Sequence, residues 1–174
     1  MYDEAIKIFD QALNINPNNQ LAIWCKAASL RMLGEYNKAI FWADESLALN
    51  PNHNLSLYCK AASLRMLNQY NESIIWADKA IAIDPQDCFA LSCKGSSLRL
   101  IQRYHEANQV INTSLNINPN HFDSLKEKGA CLQDQNQYKQ AILFYQKALK
   151  QIPNDQWITS RYDQCLQALK NIGK

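Results

Sequence analysis

Hydrophobic positions along the chain follow the three-and-four spacing of amphipathic helices, interrupted at regular intervals by short polar segments. Five of these segments contain a proline, and together they hold every proline of the chain: Pro17, Pro51, Pro85, Pro119 and Pro153. Successive prolines are 34 residues apart, and a fixed period in this range is the signature of a solenoid of repeated units. The pattern therefore predicts an all-α array of stacked helix pairs.

The period divides the chain into four full units and two flanking pieces. The predicted boundaries are 1–19 for the second helix of an incomplete repeat, 20–53, 54–87, 88–121 and 122–155 for the full units, and 156–174 for a terminal capping helix. Each full unit has two runs of helical spacing, so we expect ten helices and no strand in one continuous domain. Gly34, Asn68, Gln102 and Asn136 mark the turn inside each unit, because these residues tolerate turn conformations.

Small residues recur at the same places in every unit. Unit position 8 holds Ala27, Ala61, Gly95 and Gly129, and unit position 20 holds Ala39, Ser73, Ala107 and Ala141. With leucine at position 11, tyrosine at position 17 and proline at position 32, this pattern resembles the tetratricopeptide repeat over essentially the whole chain. The resemblance implies a right-handed superhelical solenoid of antiparallel helix pairs, whose first helices line a concave groove that binds segments of other proteins.

Two positions depart from the family pattern. Unit position 4 lacks the family's tryptophan and holds Ile23, Leu57, Leu91 and Leu125. Unit position 7 carries Lys26, Lys60, Lys94 and Lys128 where the family has an aliphatic residue. We expect each lysine stem to cover apolar surface while its ammonium group reaches water.

Charge and cysteine content exclude several classes of function. The chain has 18 Lys and Arg residues against 16 Asp and Glu, and this balance predicts no nucleic-acid and no membrane partner. The six cysteines lack a Cys-x-x-Cys pair and a histidine at ligand spacing, which favours packing roles in a reducing, cytoplasmic compartment and no metal. Nucleotide-binding and hydrolase motifs are absent from the sequence, so we predict no cofactor and no enzyme activity.

By the resemblance, unit positions 2, 5, 6, 9, 12 and 13 look into the groove. The candidate peptide-binding residues are Leu21, Trp24, Arg31, Leu55, Tyr58, Arg65, Phe89, Arg99 and Lys126. The three arginines share position 12, so we expect them to form a row that takes acidic groups, with aromatic side chains as apolar anchors. Asp123, Glu127 and Asp134 in the fourth unit are then expected to repel acid. The open alternative is that duplication produced the row, since residues 25–33 and 59–67 are both CKAASLRML.

These residues leave two main hypotheses for function. The first is a scaffold whose groove binds a peptide segment, acidic in character, of a partner protein. The second is a structural spacer or assembly module that makes contacts through its ends or convex face. RNA binding by the arginine and aromatic residues is a more distant hypothesis, and the balanced charge argues against it.

Two further expectations concern partners. The family members that clamp the tails of Hsp70 and Hsp90 chaperones use cations and asparagines, and the matching positions here hold Trp24, Ala28, Cys59, Phe89 and Cys93, so no such clamp is expected. The orphan helix Met1–Asn16 leaves one flank of Ala5, Phe9 and Ala12 uncovered. This predicts either end-on self-association at high concentration or a covering helix in the full-length protein.

Overall fold

The computed structural model describes residues 1–172, and within that range it contains ten α-helices and no strand, as the repeat period predicts. The helices are α1 (Tyr2–Ile15), α2 (Gln20–Met32), α3 (Tyr36–Leu49), α4 (Asn54–Met66), α5 (Tyr70–Ile83), α6 (Cys88–Leu100), α7 (Tyr104–Ile117), α8 (Phe122–Asp134), α9 (Tyr138–Gln151) and α10 (Gln156–Ile172). The helix pairs α2 and α3, α4 and α5, and α8 and α9 are each joined by a short connection and pack side by side, as in antiparallel helix hairpins. None of the described helices is long and apolar enough to cross a membrane.

The turns inside the units have the backbone conformation that the sequence predicts. Gly34, Asn68, Gln102 and Asn136 all have a positive φ, between +60° and +81°. Only glycine adopts this region without steric cost, and asparagine tolerates it better than glutamine does. The polar residue that follows each proline-containing segment caps the next helix in most units, as in Asn19, whose side chain accepts a hydrogen bond from the Ala22 amide at 3.1 Å.

The chain forms two compact units, and the division falls inside α6. The names unit 1 and unit 2 refer to these compact parts and not to the 34-residue repeat units. Unit 1 comprises Met1–Cys93, and unit 2 begins at Lys94. Each unit has its own buried core, so the single continuous domain stays a prediction.

In unit 1, small side chains meet where the two helices of a repeat face each other. Ala27, Ala43 and Cys59 form one buried cluster, which the partly buried Trp42 covers. An equivalent cluster one repeat later contains Ala61, Ala77 and Cys93 under Trp76. Alanine at both facing positions lets the helices approach closely, and a tryptophan ring packs against each cluster.

The core of unit 2 fits the same helix pairs together in a different way. A Cβ atom on Gly129 would lie 2.5 Å from Cε1 of Tyr145, and one on Gly95 would lie 2.5 Å from Cγ1 of Ile111. Glycine is therefore required here because a large side chain occupies the position where unit 1 has Ala43 or Ala77. The side chains of Tyr145 and Ile111 are fully buried against these glycines.

The lysines at unit position 7 hold successive repeats together in unit 1. The ammonium group of Lys60 lies 3.8 Å from the ring centroid of Trp76 and 2.5 Å from a carboxylate oxygen of Asp44, on the preceding helix. Lys26 repeats the arrangement with Trp42 and Asp10. The expected shielding by the lysine stem is therefore accompanied by an ion pair that the sequence analysis missed.

Lys128 in unit 2 lacks this carboxylate partner. Its ammonium group donates instead to the side-chain oxygen of Asn108 at 2.6 Å. Burial without a neighbouring carboxylate lowers the pKa of Lys128. In the sequence, Asn112 stands where unit 1 has Asp10 and Asp44, sixteen residues before the lysine.

The two terminal helices present different surfaces. In α1, Ala5, Phe9 and Ala12 are only partly buried, whereas the residues at the same repeat positions in α3, Ala39, Ala43 and Ser46, are fully buried. Two isoleucines of α1, Ile8 and Ile15, are also exposed. The exposed face of α10 carries Gln156, Thr159, Ser160, Asp163, Gln164 and Gln167, and Trp157 and Ile172 of the same helix are also exposed.

Candidate peptide-binding surface

The first helices of the repeats in unit 1 carry basic residues and no acidic ones. The sequences of α2 and α4, QLAIWCKAASLRM and NLSLYCKAASLRM, contain no Asp or Glu. Their lysines are held in ion pairs with α1 and α3, and within the described residues Arg31 and Arg65 form no ion pair. We call the face that carries Trp24, Arg31, Tyr58, Arg65 and Phe89 the aromatic–arginine surface.

Aromatic side chains link successive repeats along this surface. The rings of Tyr58 and Phe89 have centroids 5.8 Å apart with a tilt of 48°. The guanidinium carbon of Arg31 lies 5.6 Å from the centroid of the Tyr58 ring, within the range of a cation–π contact. The ring centroids of Trp24 and His53 lie 6.1 Å apart. Burial lowers the pKa of the His53 imidazole.

Exposed apolar residues run alongside the aromatic side chains. Leu21 is 64% exposed, Phe89 is 52% exposed, and Leu55 lies between them in the repeat order with a similar exposure. Met32 and Met66 are exposed at the C-terminal ends of α2 and α4. An apolar row of this kind beside cationic groups has the composition of a protein-binding surface.

The guanidinium groups of Arg31 and Arg65 have an incompletely satisfied environment. The Nε atom of each is buried and has no hydrogen-bond partner among residues 1–172. Arg31 contacts the Cys59 thiol, on the next repeat, and burial raises the pKa of that thiol while Arg31 partly offsets the effect. Cys59 is therefore a protonated packing residue, and it leaves the positive charge of Arg31 uncompensated.

Arg99 differs from the expected row of three equivalent arginines. It is 7% exposed, its Nε donates to Oε2 of Glu127 at 3.1 Å, and its Nη1 donates to Oδ2 of Asp134 at 2.7 Å. Burial opposes protonation of this group, but the two carboxylates outweigh it and raise the pKa of Arg99.

The expectation that Glu127 and Asp134 repel acid as uncompensated charges therefore does not hold. Nη1 of Arg161 also donates a hydrogen bond to Oδ1 of Asp134 at 3.2 Å. Two arginines therefore neutralise these two carboxylates. The physical reason is that α8 carries acids at the unit positions where α4 has Cys59 and Met66. The sequence contained this signal, because Glu127 and Asp134 follow those residues by two repeat periods.

Lys126 belongs to unit 2 and lies beside the terminal helix. Its ammonium group is 4.9 Å from the Trp157 ring centroid, and the guanidinium of Arg161 is 4.8 Å from the same centroid. Lys126 therefore belongs, like Arg99, to unit 2, whereas the aromatic–arginine surface belongs to unit 1. Among residues 1–172, no group of three or more His, Cys, Asp or Glu side chains is arranged to hold a metal ion.

Comparison with known proteins places this geometry in a family. The family model described as anaphase-promoting complex, cyclosome, subunit 3 matches residues 1–75 and 66–148. No curated protein matches the sequence.

Several solved structures share the fold at low sequence identity. A thermophilic TPR protein of Thermus thermophilus aligns with a TM-score of 0.83 and 19% identity, over 95% of this chain and 91% of that one. The anaphase-promoting complex heterotetramer Cut9–Hcn1 aligns with a TM-score of 0.90 and 14% identity, over 98% of this chain and 34% of that one. YrrB, described as a TPR protein with an unusual peptide-binding site, aligns with a TM-score of 0.66 and 16% identity, over 94% of this chain and 84% of that one.

Since the matched residues cover most of the chain and the helix pairs have the tetratricopeptide arrangement, this protein belongs to the tetratricopeptide-repeat family that the anaphase-promoting complex subunit 3 model describes.

Proposed function

We propose that this protein is a non-catalytic, cytoplasmic scaffold whose aromatic–arginine surface binds a peptide segment of a partner protein. The segment carries large apolar side chains and acidic groups. The observation that carries this proposal is the combination, in unit 1, of exposed Leu21, Leu55 and Phe89 with two arginines, Arg31 and Arg65, whose buried Nε atoms have no partner in the described part of the chain. Apolar anchors and arginine are the residue types that dominate binding energy at protein interfaces.

The structural neighbours support the general class of function. YrrB is described as having a peptide-binding site, and Cut9 as assembling with Hcn1. Both are similar to this chain in fold, and both descriptions name an interaction with another polypeptide, a peptide for YrrB and Hcn1 for Cut9. The acidic character of the ligand rests on the residues of this chain alone.

Affinity and selectivity are expected to come from different residues. Burying an aromatic side chain against a ligand contributes more than an exposed charge pair, which contributes about 0–1 kcal/mol. Trp24→Ala should therefore weaken binding more than any single arginine substitution. The double variant Arg31→Gln with Arg65→Gln should remove the salt-sensitive part of the affinity.

Selection of random dodecapeptides against the intact protein tests the proposal. The selected peptides should be rich in Asp, Glu and large apolar residues. Trp24→Ala should weaken their binding about tenfold, which corresponds to about 1.4 kcal/mol. Arg103→Gln is the matched control, because Arg103 pairs with Glu106 on an exposed face of unit 2. Peptides that bind both arginine variants and Trp24→Ala as tightly as the parent would show that the surface is not the binding site.

Assembly through the exposed side of α1 is a second candidate function. The specific observation that favours it is the exposure of Ile8 and Ile15 together with the partial burial of Phe9. Sedimentation at high protein concentration should then show dimers that Phe9→Asp abolishes. A monomer at all concentrations would argue against assembly through this end.

A further inference from the structure

The strongest unexplained feature outside the core is the pair of environments around Arg31 and Arg99. Both arginines stand at unit position 12, and each contacts the residue at position 6 of the following repeat. At Arg99 that residue is Glu127, whose carboxylate accepts a hydrogen bond from Nε. At Arg31 it is Cys59, and Nε stays without a partner.

The outer side of the two guanidinium groups differs in the same way. Asp134, at position 13 of the following repeat, accepts from Nη1 of Arg99 at 2.7 Å. The residue at position 13 after Arg31 is Met66, an exposed side chain that accepts no strong hydrogen bond. The ring of Tyr58 supports the guanidinium of Arg31 from one side.

We propose that Arg31 is the carboxylate-binding seat of the aromatic–arginine surface, and that a ligand carboxylate takes the place there that Asp134 takes at Arg99. Unit 2 supplies this carboxylate from its own residue Asp134. An acidic ligand is therefore directed to unit 1. This inference rests on the proposed function and specifies which residue reads the acidic group. A charge-assisted bond from guanidinium to carboxylate is directional, so the seat also fixes the position of the ligand along the surface.

The proposal predicts that a carboxyl introduced at position 66 occupies the seat from within the chain. Met66→Asp reproduces the Asp134 arrangement next to Arg31. Met32→Asp is the matched control, because Met32 has the same unit position and is also exposed, while no arginine stands at position 12 one repeat before it in this chain. Both substitutions add the same charge to the same surface.

Two measurements on the full chain separate the seat from the proposed function. The first needs no ligand: the pKa of the introduced carboxyl, followed by NMR titration, should lie lower at position 66 than at position 32. The second uses a fluorescent peptide of alternating Asp and Leu, with alternating Asn and Leu as the neutral probe. Met66→Asp should weaken binding of the acidic probe about fivefold more than Met32→Asp does. The affinity for the neutral probe should stay unchanged.

Each outcome decides something. Equal pKa values at the two positions would overturn the seat, whatever the peptides do. A lower pKa at position 66 with no binding of the acidic probe to the parent protein would leave the seat and refute acidic-peptide binding. Equal weakening of the acidic probe by both variants would mean that general repulsion, and not occupation of Arg31, governs binding, and the proposal would fail.

Discussion

Unit 1 and unit 2 place the same residue type at the same repeat position and use it differently. Arg31 has a thiol and a phenol ring as neighbours and keeps its charge for other partners, whereas Arg99 is buried between Glu127 and Asp134. The difference arises in the following repeat, because α4 supplies Cys59 and Met66 where α8 supplies acids. A ladder of identical residues in a repeat protein is therefore not a ladder of identical sites.

The cores of the two units show the same dependence on the facing helix. Ala27 in unit 1 faces a second alanine, Ala43, and the two leave space that Trp42 covers. Gly129 in unit 2 faces Tyr145, and no Cβ fits between them. One repeat pattern thus accommodates two packing solutions, because a large side chain on one helix is tolerated where the facing residue is glycine.

The largest expected effect is on the buried ion pair of unit 2. Glu127→Ala removes the carboxylate that accepts from Nε of Arg99 and leaves a buried guanidinium with a single strong partner. We expect a loss of about 3 kcal/mol in the free energy of unfolding, measured by urea titration.

Cys59→Ala at the matching place in unit 1 should cost only about 1 kcal/mol, since no charge is left buried without its partner. Similar losses for the two variants would contradict the difference in environment between Arg31 and Arg99.

A smaller effect is expected at the turn of unit 2. Gln102 holds a φ of +63°, where unit 1 has Gly34 at +81°. Gln102→Gly should raise the free energy of unfolding by about 0.5–1 kcal/mol, because the steric cost of the left-handed conformation exceeds the added chain entropy of glycine. Asn68→Gly serves as the comparison and should gain less, since asparagine tolerates this conformation. A destabilised Gln102→Gly variant would refute the strain at this turn.

Local features of the fold could be predicted from the sequence because they repeat with the proline period. The helix boundaries, the four turn residues and the small residues at the helix contact all depend on residues within one unit. The ion pairs of Arg99 involve Glu127 and Asp134, which lie 28 and 35 residues further along the chain. Predicting these pairs requires the register between successive repeats. The acidic residues of the repeat 122–155 alone do not reveal that Arg99 and Arg161 neutralise Glu127 and Asp134.

The lysines at unit position 7 teach the same lesson. Lys60 and Asp44 are sixteen residues apart, as are Lys26 and Asp10, so the pairing was visible in the sequence as a constant spacing. A single lysine predicts only shielding by its stem, whereas the ion pair depends on the acid on the preceding helix. Interactions between repeats have to be sought at fixed offsets larger than one helix.

The smallest expected effect follows from that offset and would make unit 2 more like unit 1. Asn112→Asp places a carboxylate sixteen residues before Lys128, as Asp44 stands before Lys60. The new pair should raise the pKa of Lys128, which burial now lowers, and add about 0.5 kcal/mol to the free energy of unfolding at neutral pH, a modest gain because one partner is largely exposed. The pKa of the introduced carboxyl is lower in the folded state, so the gain is present above its unfolded pKa and disappears as the pH falls through the folded value. Urea unfolding of the variant and the parent across this range measures it, with Asp44→Asn in unit 1 as the reverse change. A gain that persists when the carboxyl is protonated would show that the ion pair is not its source.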